Sequence, residues 1–359
     1  GTVANLETFD RLRILPARNF QRVSIGRAKA RRLSPEGLRA EAGHVREGCA
    51  GCTIGCDHRF GGTRLEYESL FALGPLCGID EPAQVLAAAA ACDRLGVDTI
   101  SAGGTLAFAM ECAERGLVPW PIAFGDDLVP WLEKIAAREG IGDLLAEGSR
   151  RVAARVGQGS ERFACQVKGL ELPGYEPRTM QTMALGLAVA ARGADHNRSG
   201  AYQADLQPGV DRFAAALATT PARVIETEDH AALLDALILC KFLRGAIADP
   251  WVEGAELLAM TAGIALSPDE LREAAARIVA LRHLYNRREG WTIAEDTLPA
   301  RFFDEPLEDG AALSRELLAA MVAAYHEARG LGVERLPPRE RLDALFAPLD
   351  LDPWAEGLE

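Results

Sequence analysis

The 359-residue sequence predicts an all-α, mostly helical chain arranged as two packed helical domains. Helix start and stop signals recur along its length, alternation of apolar and polar residues at strand period is scarce, and one Gly/Pro-rich stretch divides two helical halves. Ser34-Pro35-Glu36, Asp80-Glu81-Pro82, Ser267-Pro268-Asp269-Glu270 and Ser314-Arg315-Glu316 each read as an N-cap followed by a first turn. A short polar side chain there accepts from an amide the helix cannot use, and Pro fits where no amide is needed. Ser267 and Glu270 form a capping box.

From Pro82 a helix runs to Leu95, Gly96 supplies a left-handed stop, and Asp98 caps a second helix to about Arg115. Further helices are expected at 127–138, 142–156, 180–191, 210–217, 229–244, 268–286 and 314–329. The stretch Phe163 to Arg178 holds Gly169, Pro173, Gly174 and Pro177 and cannot be helical, which puts a boundary near residue 165. The expected domains are therefore 1–165 and 166–359, with Asp350 to Glu359 as a solvated acidic end.

Hydrophobic residues make up 48% and charged residues 25%, ordinary usage for a globular chain. No apolar run is long enough to span a bilayer; Val85–Ala91 and Thr182–Ala191 are short and alanine-rich, as buried helices are. A formal charge of -13 repels phosphate backbones and anionic lipid heads, arguing against nucleic acid and membrane surfaces as partners. No targeting signal is visible, so a cytoplasmic location is expected. Eight cysteines with no secretory mark, three of them within eight residues, favour a metal over disulfides.

Cys49-Ala-Gly-Cys52-Thr-Ile-Gly-Cys56 puts three thiols on a tight loop whose Gly51 and Gly55 let the backbone wrap a cluster. Zinc is the rival metal, but its sites usually pair two Cys/His knuckles, and only one is present. Spacing alone leaves the fourth ligand open among Cys77, Cys92, Cys112, Cys165, Cys240 and His58. Cys112 falls in the apolar pattern of a helix, where a buried thiol packs as a small hydrophobe.

An ordered series of motifs runs over nearly the whole chain. It comprises Leu15-Pro16-Ala17-Arg18-Asn19-Phe20, the cysteine loop, Glu66-Tyr67-Glu68-Ser69, Cys92 to Asp98, Gly142 to Gly148, Lys168 to Pro173, Arg192-Gly193-Ala194-Asp195-His196, Asn286 to Gly290, Asp296-Thr297-Leu298-Pro299 and Arg301-Phe302. In this order they resemble the aldehyde:ferredoxin oxidoreductase family, whose members carry a 4Fe-4S cluster beside a tungsten or molybdenum bis-pterin. The resemblance implies that Cys240, closing Asp235-Ala236-Leu237-Ile238-Leu239-Cys240, joins Cys49, Cys52 and Cys56 on the cluster. It likewise implies that this corner and Asp93 to Asp98 each grip one pterin, through Asp93, Gly96 and Asp98 on one side and Asp235 on the other. The first loop makes physical sense: the helix start at Asp98 offers amides to an anionic phosphate, and both aspartates can accept pterin amine hydrogens. In the second, Ile238 stands where glycine is expected, and a helix can read straight through to Arg244.

The resemblance further implies oxidation of an aldehyde to a carboxylic acid, with electrons leaving through the cluster to a ferredoxin-like carrier. Glu68, or Glu66 in the alternative register, and His196 match the family's active-site acid and base positions, and Arg198 is placed to pair with a pterin phosphate. By residue type alone, an isolated Glu is a surface residue and a lone His a structural one. Family members open with a β-rich pterin domain that nothing here matches, so an excised piece or a subunit needing a separate pterin-domain partner is expected. A ring-reducing acyl-coenzyme A reductase subunit and a non-catalytic metal-binding scaffold are the competing readings.

Overall fold

The computed structural model describes residues 1–332 and Asp343, and the acidic end at 350–359 lies outside them. Seventeen α-helices and five short strands occur among the described residues, as the helical punctuation predicts. Two units form: Gly1–Met180 with Leu298–Leu313, and Gln181–Thr297 with the chain from Ser314 onward.

In the first unit α1 is Asn5–Arg11, α2 Arg27–Arg32 and α3 Pro35–Ala42. A hairpin of β1, His44–Glu47, and β2, Asp57–Phe60, follows, with β3, Thr63–Arg64, pairing β2 antiparallel. Then come α4 Tyr67–Leu73, α5 Pro82–Leu95, α6 Thr99–Glu114, α7 Val129–Ala137, α8 Ile141–Leu145 and α9 Ser149–Val156, and the pair β4 Gln166–Val167 and β5 Leu170–Glu171. Helix α6 is buried on every side from Ala102 to Cys112, which makes it the central rod. A side chain on Gly103 would stand 2.4 Å from the carbonyl oxygen of Ala72, so only glycine lets α4 and α6 pack this closely.

The unit boundary falls after Met180 rather than near residue 165, because the intervening loop bonds back into the first unit. Glu176 N–H donates to the Ile14 carbonyl at 3.0 Å, Thr179 Oγ1–H to Arg13 at 2.9 Å, and Arg178 Nη2 to Phe20 at 2.5 Å. The returning segment 298–313 is held the same way. Within it α16, Arg301–Asp304, sends the Arg301 guanidinium onto Glu111, both side chains fully buried. Removing one partner of such a pair costs about 3–5 kcal/mol, so it fastens the segment even where the intact pair adds little.

The second unit contains α10 Gln181–Val189, α11 His196–Ser199, α12 Tyr202–Asp205, α13 Thr220–Ala236, α14 Pro250–Ala262, α15 Pro268–Arg288 and α17 Arg315–Arg329. Ala232, Leu233, Ala255, Leu271, Ala275 and Val279 form its core where α13, α14 and α15 meet. The predicted capping box of Ser267 and Glu270 opens α15.

Three predicted helices are corrected. The one expected at 142–156 is broken into α8 and α9, because Gly148 leaves the helical region at φ 83°. Residues 210–217 form turns, because Arg212 accepts the Gln181 N–H and Ala215 N–H donates to Gln181 Oε1, tying this stretch to the start of α10. The helix expected at 229–244 starts earlier, at Thr220, and stops at Ala236 instead of reading through to Arg244. Ile238 takes the left-handed conformation, φ 57°, and Leu239 N–H closes onto Leu234 at 2.8 Å, a Schellman-type stop.

Candidate cofactor and active site

In the first unit the β1–β2 register pairs Glu47 with Asp57, so all three clustered cysteines fall in the intervening loop. Cys52 N–H donates to the Cys49 carbonyl at 2.9 Å, and Gly51 and Gly55 adopt φ of 72° and 54°. The Arg46 guanidinium staples the loop, donating from Nε to Gly55 at 2.8 Å and from Nη2 to Ile54. A Cβ on Gly55 would lie 2.7 Å from Arg46 Nε, so the staple requires a glycine there. Sequence reasoning missed Arg46; its place just before the triplet, in a chain poor in net positive charge, is the signal that marks it.

The eight cysteines divide sharply. Cys77, Cys92, Cys112 and Cys165 are buried, while Cys49, Cys52 and Cys240 are exposed and Cys56 is half-buried. Burial pushes the thiols of Cys92, Cys112 and Cys165 up to about 12 and raises Cys77 as well, so all four stay protonated packing groups. The accessible four are the set that the resemblance selects as ligands. Thiolate sulfur suits iron, and the staple holds the loop's form. Among the described residues, however, no three His, Cys, Asp or Glu side chains are gathered closely enough to hold a metal ion. The donor chemistry fits the cluster.

The predicted pterin corner of this unit joins α5 to α6. Gly96 is left-handed at φ 69°, Val97 N–H closes onto the Cys92 carbonyl at 3.0 Å, and Asp98 Oδ1 accepts Ser101 N–H at 2.7 Å. Asp93, Gly96 and Asp98 are all exposed. Glu68, in the first turn of α4, is half-buried and accepts Gly174 N–H at 2.9 Å through Oε2, while Tyr67 O–H donates to the Gly174 carbonyl. Glu66, the alternative register, accepts instead from Thr2 Oγ1–H and from Arg64 Nη2 at 3.1 Å.

In the second unit the short helix α11 opens with His196. Asp195 caps it, accepting from Asn197 N–H at 2.8 Å and Arg198 N–H at 3.1 Å, and pairs with Arg192 Nη1 at 2.7 Å. His196 is half-buried with its ring 6.0 Å from that of Tyr202. The Arg198 guanidinium pairs with Asp235, so these two predicted site residues meet directly. Lys241, absent from the predicted site, stands 3.5 Å from Asp235 and donates to the Asn197 carbonyl at 2.6 Å. Its position next to Cys240 is the only sequence signal it carries.

The family model described as aldehyde ferredoxin oxidoreductase, domains 2 and 3, matches residues 1–346. The chain belongs to the aldehyde ferredoxin oxidoreductase family, a family of oxidoreductases. It is 34% identical over 372 residues to the tungsten-containing aldehyde ferredoxin oxidoreductase of Pyrococcus horikoshii, and 33% identical over 369 residues to that of Pyrococcus furiosus. Each comparison covers 96% of this chain and 59% of the relative, so the chain spans about six-tenths of their length. The WOR-like subunit of an aliphatic sulfonate oxidoreductase from Pyrococcus furiosus is 28% identical, over 78% of this chain and 45% of that one. Among solved structures, the active-site complex of benzoyl coenzyme A reductase with 1,5-dienoyl-CoA matches at a TM-score of 0.73 and 19% identity, over 95% of this chain and 59% of that one, a likeness of fold. No helix among the described residues is long and apolar enough to cross a membrane.

Proposed function

We propose that this chain is the helical, cluster-binding part of a tungsten- or molybdenum-pterin enzyme that oxidises an aldehyde to a carboxylic acid. The partition of the cysteines carries the reading: four thiols are buried and held protonated, and the accessible four are those the family pattern assigns to a 4Fe-4S cluster. Cys49, Cys52, Cys56 and Cys240 would hold that cluster. Asp93, Gly96 and Asp98 at one corner, and Asp235 with Arg198 at the other, would contact the two pterins, supplied together with a separate pterin-binding domain or subunit.

The bound pterin metal supplies a two-electron acceptor and an electrophilic centre. The balance is aldehyde plus water giving carboxylic acid, two protons and two electrons, the electrons passing to a ferredoxin-like carrier. The protein's own part is proton handling and positioning. His196, on a short helix capped by Asp195, would act as the base. Glu68 is held by the Gly174 amide and serves as the second acid-base group.

Anaerobic iron and sulfide analysis of the reconstituted chain tests this, with about four irons per chain expected. Cys240→Ala should lose most of the iron and the visible absorption, whereas Cys112→Ala should keep both. Stoichiometric zinc in place of iron, or full iron in Cys240→Ala, would overturn the ligand assignment. Without a pterin-domain partner, the chain should take up no stoichiometric tungsten or molybdenum.

A further inference from the structure

We propose that the second unit carries a pocket for a small organic carboxylate with an apolar body, and that Arg282 is its anion receptor. The pocket is an open depression of about 380 Å³ lined by Leu281, Arg282, Tyr285 and Asn286 from α15 and by Ala191 and Arg192 beyond α10. Leu281 and Tyr285 share one face of α15 at i,i+4 spacing and are 50% and 55% exposed, leaving apolar surface uncovered on one wall. Asn286 Nδ2 donates to the Ala191 carbonyl at 2.5 Å and ties the two walls together.

The charge in this pocket is unbalanced. Arg282 is half-buried, and among the described residues no carboxylate lies within ion-pair reach of its guanidinium. Burial and then Arg198 work against its charge, while Asp235, Glu228 and Asp195 favour it. Arg192, by contrast, is already committed to Asp195. A partly desolvated guanidinium without an ion-pair partner is stabilised by an incoming anion, and its planar fork matches a carboxylate with two parallel hydrogen bonds. The apolar wall selects a carboxylate that carries an alkyl or aryl body over a bare oxyanion.

The pocket stands on this geometry alone. Its link to catalysis rests on the function proposed above: Arg192 pairs with the residue that caps the His196 helix, and an organic carboxylate is the product class of aldehyde oxidation. On that reading the pocket is a product or product-analogue site, linked to the histidine through the Arg192–Asp195 pair.

Isothermal titration of the full chain with benzoate, with benzamide as its neutral counterpart and inorganic phosphate as competitor, decides it. Benzoate should bind saturably, and benzamide about tenfold or more weaker, the worth of one charge-assisted pair. Arg282→Met should weaken benzoate by a similar factor, and Arg282→Lys should fall between; Arg282 is half-exposed, and circular dichroism checks that both variants fold. Absence of saturable binding, equal binding of benzamide, unchanged binding in Arg282→Met, or phosphate displacing benzoate at equal concentration would each overturn the assignment. The measurement needs neither cluster nor pterin. Benzoate binding in a chain that takes up no iron would count against the cluster reading and leave the pocket standing.

Discussion

The two corners, Asp93 to Asp98 in the first unit and Asp235 to Cys240 in the second, are one backbone written in two chemistries. Each ends a long helix with a left-handed residue, φ 69° at Gly96 and 57° at Ile238, and each closes a six-residue hydrogen bond. The closing residues are nearly superimposable in conformation, Asp98 at φ -65° and ψ 128° and Cys240 at φ -65° and ψ 131°. There the likeness stops. Asp98 spends its side chain capping α6, whereas Cys240 makes no side-chain cap bond and leaves its sulfur exposed. The same turn thus serves as a self-satisfied helix junction in one unit and as a presenter of a ligand atom in the other.

The largest test of that contrast is chemical. The first corner has its own cysteine, Cys92, whose thiol burial and then Asp93 and Asp98 push up to about 12. Cys240 should react with iodoacetamide roughly a hundredfold or more faster than Cys92 in the metal-free chain at pH 8, read by peptide mass mapping. Comparable rates would erase the distinction between the corners. Next in size is Gly96→Ile, which writes the second corner's residue into the first. A Cβ at Gly96 meets nothing within 4 Å, so the cost is dominated by the left-handed conformation, about 1–2 kcal/mol in urea unfolding. Asp98→Ala follows at about 1 kcal/mol for the lost cap, while Cys240→Ala in the metal-free chain should stay within about 0.5 kcal/mol, since that thiol caps nothing. Equal losses at the two positions would mean that Cys240 has a folding role the structure does not give it.

The first corner is legible in the sequence and the second is not, and the reason is the residue at the left-handed position of each. Gly96 announces a helix stop because glycine alone enters the left-handed region freely. Ile238, β-branched, carries no such signal, so the sequence predicts a helix running on to Arg244; the chain turns at Ile238 all the same, closed by the local bond from Leu239 N–H to Leu234. Capped starts at Ser34, Ser267 and Ser314 were legible because the capping group lies within three residues of what it caps. The bonds that moved the unit boundary to Met180 were not legible: Arg178 to Phe20 and Thr179 to Arg13 join residues far apart in sequence. For the candidate site, the cysteine triplet can be read directly, while Lys241 has only its place next to Cys240 and Arg282 no local pattern, and both take on meaning through their surroundings in space.

The smallest effect makes the most exacting test of the comparison. Ile238 is 92% exposed, so its side chain contributes little packing to offset a conformation that costs an L-residue about 1–2 kcal/mol. Glycine would remove that strain but would also free the unfolded chain, at a cost of about 0.5–1 kcal/mol. Ile238→Gly should therefore stabilise the metal-free chain by about 0.5–1 kcal/mol in urea unfolding, opposite in sign to Gly96→Ile. If the variant is instead less stable, Ile238 makes contacts in the native chain that its exposure does not reveal. If it is more stable but binds less iron on reconstitution, the isoleucine holds the Cys240 corner in the form the cluster needs, and the strain belongs to the site rather than to the fold.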